Sequence, residues 1–431
     1  MPFAAGYYLA YLFRTISALI SGPLQSEQGL EAADLGFLTS VYFLVFAAAQ
    51  IPIGIFLDRF GPRLVQSGLL LVAAGGAAVF ATATGFVPLL IGRAMIGLGV
   101  AAALMAGLKA ITIWFPRDRV AQLNGYMVML GGLGAVTATA PAEALLAWVG
   151  WRGLFELLTA ATVLTSIVIY LVVPEPDKPI PATSRAGTLK TVFQDERFWR
   201  IAPLSAACIG SAWSLQGLWA GPWLADVQGL DRPSVVTYLM VMAVALSLGA
   251  CLLGTMAGWA RRKRMPTELL LTLVAVAFTA SEAAIVLQLP VPSILPWSIV
   301  AAAGAATVLS FAILTDYFPP ELTARANGAL NLLQFGFAFA TQYVTGLILQ
   351  QWPQQGGHYP EIAYRTAFGV SIAIQIATLI WFAVPWLRTF DWPRIASSLL
   401  EPLGVSFARG PLTISYAEGF SEVLSRESRD W

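Results

Sequence analysis

The chain has 431 residues, of which 57% are hydrophobic and only 11% charged, with a formal net charge of +1. Soluble domains carry about 25% charged residues, so this composition excludes an ordinary water-soluble fold. It equally excludes a nucleic-acid binder, because no basic block stands out from the near-neutral balance.

Taken in chain order, the apolar runs predict twelve spans of roughly 20 residues, the length that crosses a hydrocarbon core. They fall at 3–22, 34–56, 64–82, 86–114, 124–147, 154–173, 201–224, 234–259, 268–288, 296–317, 328–349 and 365–389. The first run lacks a basic leader region and is followed by further spans, so it reads as helix one and not as a signal peptide. The polar stretch "PEPDKPIPATSRAGTLKTVFQDERFWR" at 174–200 reads as a linker between two six-helix halves. The expected organisation is therefore an N-terminal bundle at 1–173, a cytoplasmic central loop at 174–200, a C-terminal bundle at 201–390 and a cytoplasmic tail at 391–431.

Lysine and arginine set the orientation. With the N-terminus inside, the cytoplasmic loops hold Arg59, Arg63, Arg117, Arg119, Lys178, Arg185, Lys190, Arg197, Arg200, Arg261, Arg262, Lys263, Arg264 and Arg325, while the opposite loops hold only Arg152, Arg232 and Arg365. That asymmetry predicts cytoplasmic N- and C-termini and a multi-pass protein of the plasma membrane, in a bacterium the inner membrane. The halves also repeat. "WFPRDRVAQLNG" at 114–125 returns as "YFPPELTARANG" at 317–328, and "WRGLF" at 151–155 returns as "YRTAF" at 364–368. Repeated halves predict two bundles around a central cavity.

Between helices two and three stands "GIFLDRFGPR", with Gly54, Asp58, Arg59, Gly61 and Arg63 at fixed spacing. This resembles the signature loop of the major facilitator superfamily, and "GTMAGWARRK" at 254–263 is a degenerate second copy with Gly258 in the aspartate's place. The resemblance covers the whole chain. It implies an all-α membrane protein of twelve transmembrane helices in two pseudo-symmetric six-helix bundles, working as a secondary transporter by alternating access. In that frame Gly54 allows close helix packing, Asp58 sits near the positive N-terminal end of helix eleven at Asn327 and Gly328, and Arg59 and Arg63 pair with cytoplasmic acids.

"YYLAYLFRTISALISGPLQSEQGLEAADLGFL" narrows the resemblance to the organic-phosphate and organic-anion branches. There the helix-one arginine holds the anion, which places that role on Arg14 with Tyr11 beside it. Phosphate exchangers carry a second arginine in helix seven, where this chain has Ser214. The substrate implied is accordingly a small carboxylate-like organic anion. Helix seven offers Trp213, Gln216 and Trp219 for its organic body.

The residues support an anion site independently. Arg14 lies about 11 residues into helix one, roughly 17 Å by helix rise, beyond easy snorkelling. An arginine at mid-membrane is unfavourable by about 2.5–3.5 kcal/mol, so it should face the bundle interior. Tyr7, Tyr11, Arg14, Ser17 and Ser21 share its face. The alternative is a structural ion pair with another helix. Tyr42, Gln50, Asn331 and Gln334 are polar groups in cavity-lining helices that could touch substrate or join helices. Arg93 and Glu143 lie at similar depth on the antiparallel helices four and five, which predicts an ion pair or a coupling pair. Lys109 reads either as snorkelling to the cytoplasm or as a second cavity cation. Glu282 in helix nine is a secondary candidate for a proton site.

Cys208 and Cys251 fall in apolar runs and read as buried hydrophobes, and the single histidine, His358, sits in a polar loop, so no metal site or cofactor is expected. No phosphate-binding loop, nucleophile–base pair or metal motif is present, so the chain does not read as an enzyme and its energy must come from a gradient. The expected partners are an anionic small molecule, a coupling ion read as the proton, and the lipid bilayer, with the chain a monomer. A proton-coupled drug or metabolite exporter is the alternative, although Pro141 in helix five lacks the glycines that usually follow it in such proteins. A transporter-derived sensor is less favoured, because only a short polar tail is available as an output segment.

Overall fold

A computed structural model describes residues 2–174, 189–263, 266–354 and 356–389. The expected tail at 391–431 and most of the central loop at 174–200 lie outside the described residues. Residues 1–382 form one compact unit; the second unit, Ala383–Trp431, is described only as far as the helix end at Thr389.

Without water to satisfy backbone groups, a chain crossing hydrocarbon must pair them within the segment. The result here is helix after helix. The N-terminal half comprises α1 (Pro2–Gln28), α2 (Ala32–Ala81), α3 (Phe86–Val100), α4 (Ala103–Trp114), α5 (Arg117–Thr137) and α6 (Ala140–Val172). A short α7 (Leu189–Phe193) precedes the C-terminal half: α8 (Glu196–Ser214), a π-helical turn (Leu215–Trp219), α9 (Ala220–Asp226), α10 (Arg232–Arg262), α11 (Thr267–Val286), α12 (Ile294–Ala303), α13 (Thr307–Tyr317), α14 (Pro320–Leu349) and α15 (Glu361–Thr389). The twelve expected spans map onto these elements. α2 holds two of them, divided at Gly61, whose φ of 75° and ψ of 165° lie outside the helical region. Glycine takes that conformation freely, and Pro62 after it disfavours a helical residue before it. Gly150, with φ 67°, divides α6 in the same way.

Spans four and ten are not continuous. The first breaks at Ala101–Ala102, between α3 and α4, and the second at 304–306, between α12 and α13. The breaks are 203 residues apart, the same offset that separates the repeated sequence segments. Each releases a carbonyl that a side chain takes up: Gln50 Nε2 donates to the Ala101 carbonyl at 3.4 Å, and Trp213 Nε1 donates to the Gly304 carbonyl at 3.0 Å. Freed carbonyls in a membrane helix are costly unless so satisfied. Span five breaks too, at 138–139, where Thr137 ends α5 and Pro141 opens α6.

The halves meet chiefly where α2 packs along α14. Two glycines make the closest approach. A Cβ on Gly36 would lie 2.9 Å from the Gln342 carbonyl oxygen, and one on Gly346 would lie 2.5 Å from the Ala32 carbonyl oxygen. Small residues let membrane helices cross backbone to backbone. This crossing lies at the end opposite the signature loop, here called the distal end, and holds it shut. Lower down, Phe46 stacks on Phe335 with centroids 4.2 Å apart, and Asn331 Nδ2 donates to Gln50 Oε1 at 3.2 Å.

The crossing can be tested on one helix. Gly346→Ala should lower the thermal midpoint of the detergent-solubilised protein, reflecting an overpacking cost of about 1–3 kcal/mol. Gly336→Ala, with open space around its Cβ position, should not lower the midpoint and should raise it slightly.

Candidate substrate site

Arg14 lies near the middle of α1 and is 7% exposed. Its guanidinium stacks over the Tyr11 ring at 4.1 Å and reaches the Trp213 ring across the inter-half boundary at 5.0 Å. Nη2 has no hydrogen-bond partner among the described residues. The surroundings are aromatic. Tyr7 sits edge-on to Tyr11 at 5.1 Å, Trp213 packs on Phe335 at 4.7 Å, and Phe335 continues to Phe46. Trp213 is oriented by its bond to the broken span ten. Gly131 on α5 leaves room for the two tyrosines: a Cβ there would lie 2.5 Å from Tyr7 and 3.1 Å from Tyr11.

Span seven contributes its π-helical turn opposite α1. A Cβ on Gly217 would lie 3.9 Å from the Arg14 carbonyl oxygen, so this turn packs against α1 at the arginine. Such bulges often mark functional positions. Here the turn carries Gln216, whose Nε2 is buried without a partner, and Ser214 just before it has an unpartnered buried hydroxyl. Buried donors without partners are rare in folded proteins and call for an explanation.

Arg93 is the second buried cation, 2% exposed. Its Nη1 donates to the Phe13 carbonyl at 2.8 Å, its guanidinium lies over the Tyr42 ring at 4.9 Å, and its Nε is unpartnered. The Tyr42 hydroxyl donates to the Ala10 carbonyl at 3.3 Å. Arg93 and Tyr42 thus both grip α1 by its backbone, one residue and four residues before Arg14.

The expected Arg93–Glu143 pair does not form. Glu143 accepts two hydrogen bonds from Arg232, at 2.5 Å from Nε and 2.7 Å from Nη2, and Arg232 Nη2 also donates to the Leu19 carbonyl at 3.2 Å. Helical rise fixes depth but not direction, and the break at 138–139 lets α6 present Glu143 to the start of α10 in the other half. Lys109 is neither a free snorkelling group nor a second cation of the Arg14 site. Its Nζ bonds Asp58 Oδ1 at 2.6 Å and the Leu57 carbonyl at 2.8 Å, tying α4 to the signature loop. Gly54 is not at a close crossing, since an added Cβ meets nothing within 4 Å. Gln334 faces the C-terminal half, donating to Ser205 Oγ at 2.8 Å, and Ser205 donates to Ser310 at 2.8 Å. Arg59 lies over Phe60, and Arg63 donates to the Tyr170 carbonyl at 2.8 Å.

Trp219 closes the site toward the distal end. Its Nε1 donates to the Gln342 carbonyl at 3.0 Å, while the Gln342 side chain donates to Thr39 Oγ1 across the halves. Above this plug opens a vestibule of about 820 Å³ lined by Trp219, Arg232, Asp226, Gln350 and Tyr359 among others. Gln350 donates to Glu31, and the Tyr359 hydroxyl accepts from the Ala32 amide at 3.1 Å. The plug and the Arg232 bridge escaped the sequence reading, because polar residues one per helix carry no signal of which partner they meet.

The sequence pattern described as Major Facilitator Superfamily matches residues 3–341. The chain belongs to that family. Its members are multi-pass membrane transporters, not enzymes. A probable sulfoacetate transporter of Cupriavidus necator is 23% identical over 92% of this chain and 89% of its own length. A probable L-galactonate transporter of Escherichia coli is 27% identical over 37% of this chain and 36% of its own. A nitrate/nitrite transporter of Picosynechococcus is 36% identical over 26% of this chain, a match that spans about a fifth, 21%, of that protein. Among solved structures, a bacterial homologue of the human lysosomal transporter Spinster, inward-facing and occupied, aligns over 90% of this chain with a TM-score of 0.72 at 18% identity. The nucleoside transporter NupG aligns over 88% with a TM-score of 0.70 at 13% identity. At these identities the likeness is one of fold.

The Arg232 bridge makes a prediction that separates it from the expected pair. Exchanging charges in Glu143→Arg with Arg232→Glu should recover the thermal midpoint lost by either single change, a loss of about 0.2–1 kcal/mol for so exposed a pair. Exchanging Glu143 with Arg93 should recover nothing.

Proposed function

We propose that this chain is a secondary active transporter of a small organic anion bearing a carboxylate or sulfonate, moved across the plasma membrane by alternating access with Arg14 as the charge ligand. The observation that carries the reading is the unpartnered Nη2 of Arg14, buried at the aromatic boundary between the halves. A guanidinium offers a planar fork of donors matched to an oxyanion, and burial strengthens the interaction. Tyr11 and Trp213 flank the cation and leave one donor edge free. Gln216 and Ser214 supply neutral hydrogen-bonding groups on the facing turn, suited to hydroxyls or a second polar end of the ligand. The sulfoacetate relative, similar across most of both chains, supports this substrate class.

The distal closure supports alternating access. Opening that end must separate Gly36 from Gly346, break the Gln342–Thr39 and Arg232–Glu143 bonds and swing Trp219 aside. The charge asymmetry of the loops supports cytoplasmic termini, which makes the distal end the outer one. A proton is the coupling ion that fits a buried carboxyl in the C-terminal half.

A thermal-shift screen of the purified protein against sulfoacetate, galactonate, hexuronates and inorganic phosphate tests the reading, because a ligand that binds only the native state raises its apparent stability. Sulfoacetate or a sugar acid should stabilise the wild type. Arg14→Ala should lose about 10- to 100-fold in affinity, as expected for a charge-assisted bond of about 1.5–3 kcal/mol. Arg14→Lys should keep part of it. Undiminished binding by Arg14→Ala overturns the anion site.

A further inference from the structure

Glu282 on α11 is 1% exposed, in the outer layer of the C-terminal half and apart from the Arg14 site. Its Oε2 accepts from Gln375 Nε2 on α15 at 2.5 Å, the Ser371 hydroxyl lies beside the carboxyl, and Oε1 has no partner among the described residues. No cation among the described residues approaches it. The groups around it form a continuous chain. Gln375 Nε2 also donates to Ser371 Oγ at 2.9 Å, and Ser371 Oγ shares a hydrogen bond of 3.1 Å with Ser211 Oγ on α8. Thr279, one turn before Glu282, donates to Gln375 Oε1 at 3.0 Å and so fixes the amide's orientation. All five side chains are buried.

An ionised carboxylate taken out of water with only neutral partners and no counter-charge is among the costliest groups a protein can bury. Structural glue does not require it, since glutamine at the same place would hold Gln375 equally well. The Gln375 amide donates to the carboxyl and to Ser371 at once, so a change of charge at Glu282 alters the whole hydrogen-bonded chain without a proton having to pass through the amide. The far end of the chain, Ser211, lies two residues before Trp213, which touches Arg14. Events at Glu282 therefore reach the helix that forms half of the substrate site.

We infer that Glu282 is a proton-binding site, connected through Gln375 and Ser371 to Ser211, and that its proton is the ion coupled to movement of the anion at Arg14. The coupling half of this inference rests on the transport reading above; the proton site does not. Other titratable groups do not account for it. On α8, Cys208 is a buried thiol and the Arg200 guanidinium lies over Phe382. α12 has no titratable residue. On α10, Tyr238 is engaged with Ser293 and Cys251 is exposed. Tyr317 of α13 bonds Glu268, in the first turn of α11, about 21 Å from Glu282 by helix rise, and Asp316 is its neighbour there. α15 presents Ser371 and Gln375, both neutral.

Infrared difference spectra of the full-length protein, titrated between pH 5 and 9 without any organic anion, test the proton site. The wild type should show a protonated-carboxyl stretch that comes and goes with pH, and E282Q should lack it. A spectrum unchanged by E282Q, or a carboxyl band that persists across the whole range, overturns the site. Should E282Q fold poorly, Gln375→Met keeps the carboxyl and removes its donor, and it must shift the midpoint of the same band. The second measurement is binding of sulfoacetate across that pH range. Linkage requires that an affinity dependent on pH in the wild type become flat in E282Q while binding itself survives. The same pH dependence in E282Q overturns the coupling. Failure of the wild type to bind sulfoacetate or galactonate counts against the anion reading alone, because the infrared result stands without it.

Discussion

A guanidinium buried in the middle of a membrane bundle sets the conditions for everything around it. Inserting an arginine at that depth costs about 2.5–3.5 kcal/mol on insertion scales, and it must be offset locally. Stacking on Tyr11 and Trp213 returns part of this, since a desolvated cation–π contact contributes up to about 2 kcal/mol. The faces of the guanidinium are thereby covered while one edge, Nη2, is left without a partner. The contact to Trp213 also makes Arg14 a link between the halves, so the state of the charge and the closure of the bundle are one problem. Trp213 itself depends on the break in span ten, whose Gly304 carbonyl holds the indole. A helix defect is thus part of the site, and its counterpart in span four is capped by Gln50, which reaches across to Asn331. Both breaks tie an inter-half contact to backbone that a regular helix would have kept for itself.

The distal closure follows from a different kind of constraint. At Gly36 and Gly346 the backbones approach so closely that no side chain fits, and that proximity brings Gln342 to Thr39 and Gln350 to Glu31. The polar bonds are individually weak, and the partly exposed Glu143–Arg232 bridge adds little to stability. Their effect lies in being made together and lost together. Contacts of this sort hold the two halves together by a modest margin. At the signature-loop end Lys109 of α4 binds Asp58 and the Leu57 carbonyl, a tie made within the N-terminal half.

The fold was legible because each of its causes is local. Span length, the polar linker, the charge asymmetry and the repeated "WFPRDRVAQLNG" pattern each act on one segment, and the membrane excludes most other ways of assembling them. Arg14 stood out for the same reason, as a lone charge in an apolar run. The pairing of Arg93 with Glu143 was not legible, because depth along two helices says nothing about the side each residue faces, and the break at 138–139 changes that side for Glu143. Its partner Arg232 reads in the sequence only as a loop charge. Distance from the helix end does not identify the partner of Lys109, because Asp58 comes from another helix. Gly54 belongs to a familiar motif, yet the close crossing occurs at Gly36 and Gly346, which belong to none. Breaks in spans four and ten leave little trace in a sequence of alanines, valines and glycines, where the whole run is equally apolar.

The two halves share one pattern of helices but divide the chemistry between them. Fixed positive charge is concentrated in the N-terminal half, where Arg14 belongs to α1 and keeps one edge free while Arg93 binds the α1 backbone. The C-terminal half has no buried cation of that kind among the described residues and instead carries neutral amides and hydroxyls that join its helices, together with the single buried carboxyl of Glu282. A fixed cation favours an anion at all times, whereas a carboxyl without a counter-ion changes its charge when it gains or loses a proton. On the proposed reading, placing the first in one half and the second in the other separates the group that would select the cargo from the group that would respond to a gradient. Repetition of the same fold leaves the two halves free to differ in this way, because the helices are held by apolar packing and backbone hydrogen bonds that neither group supplies.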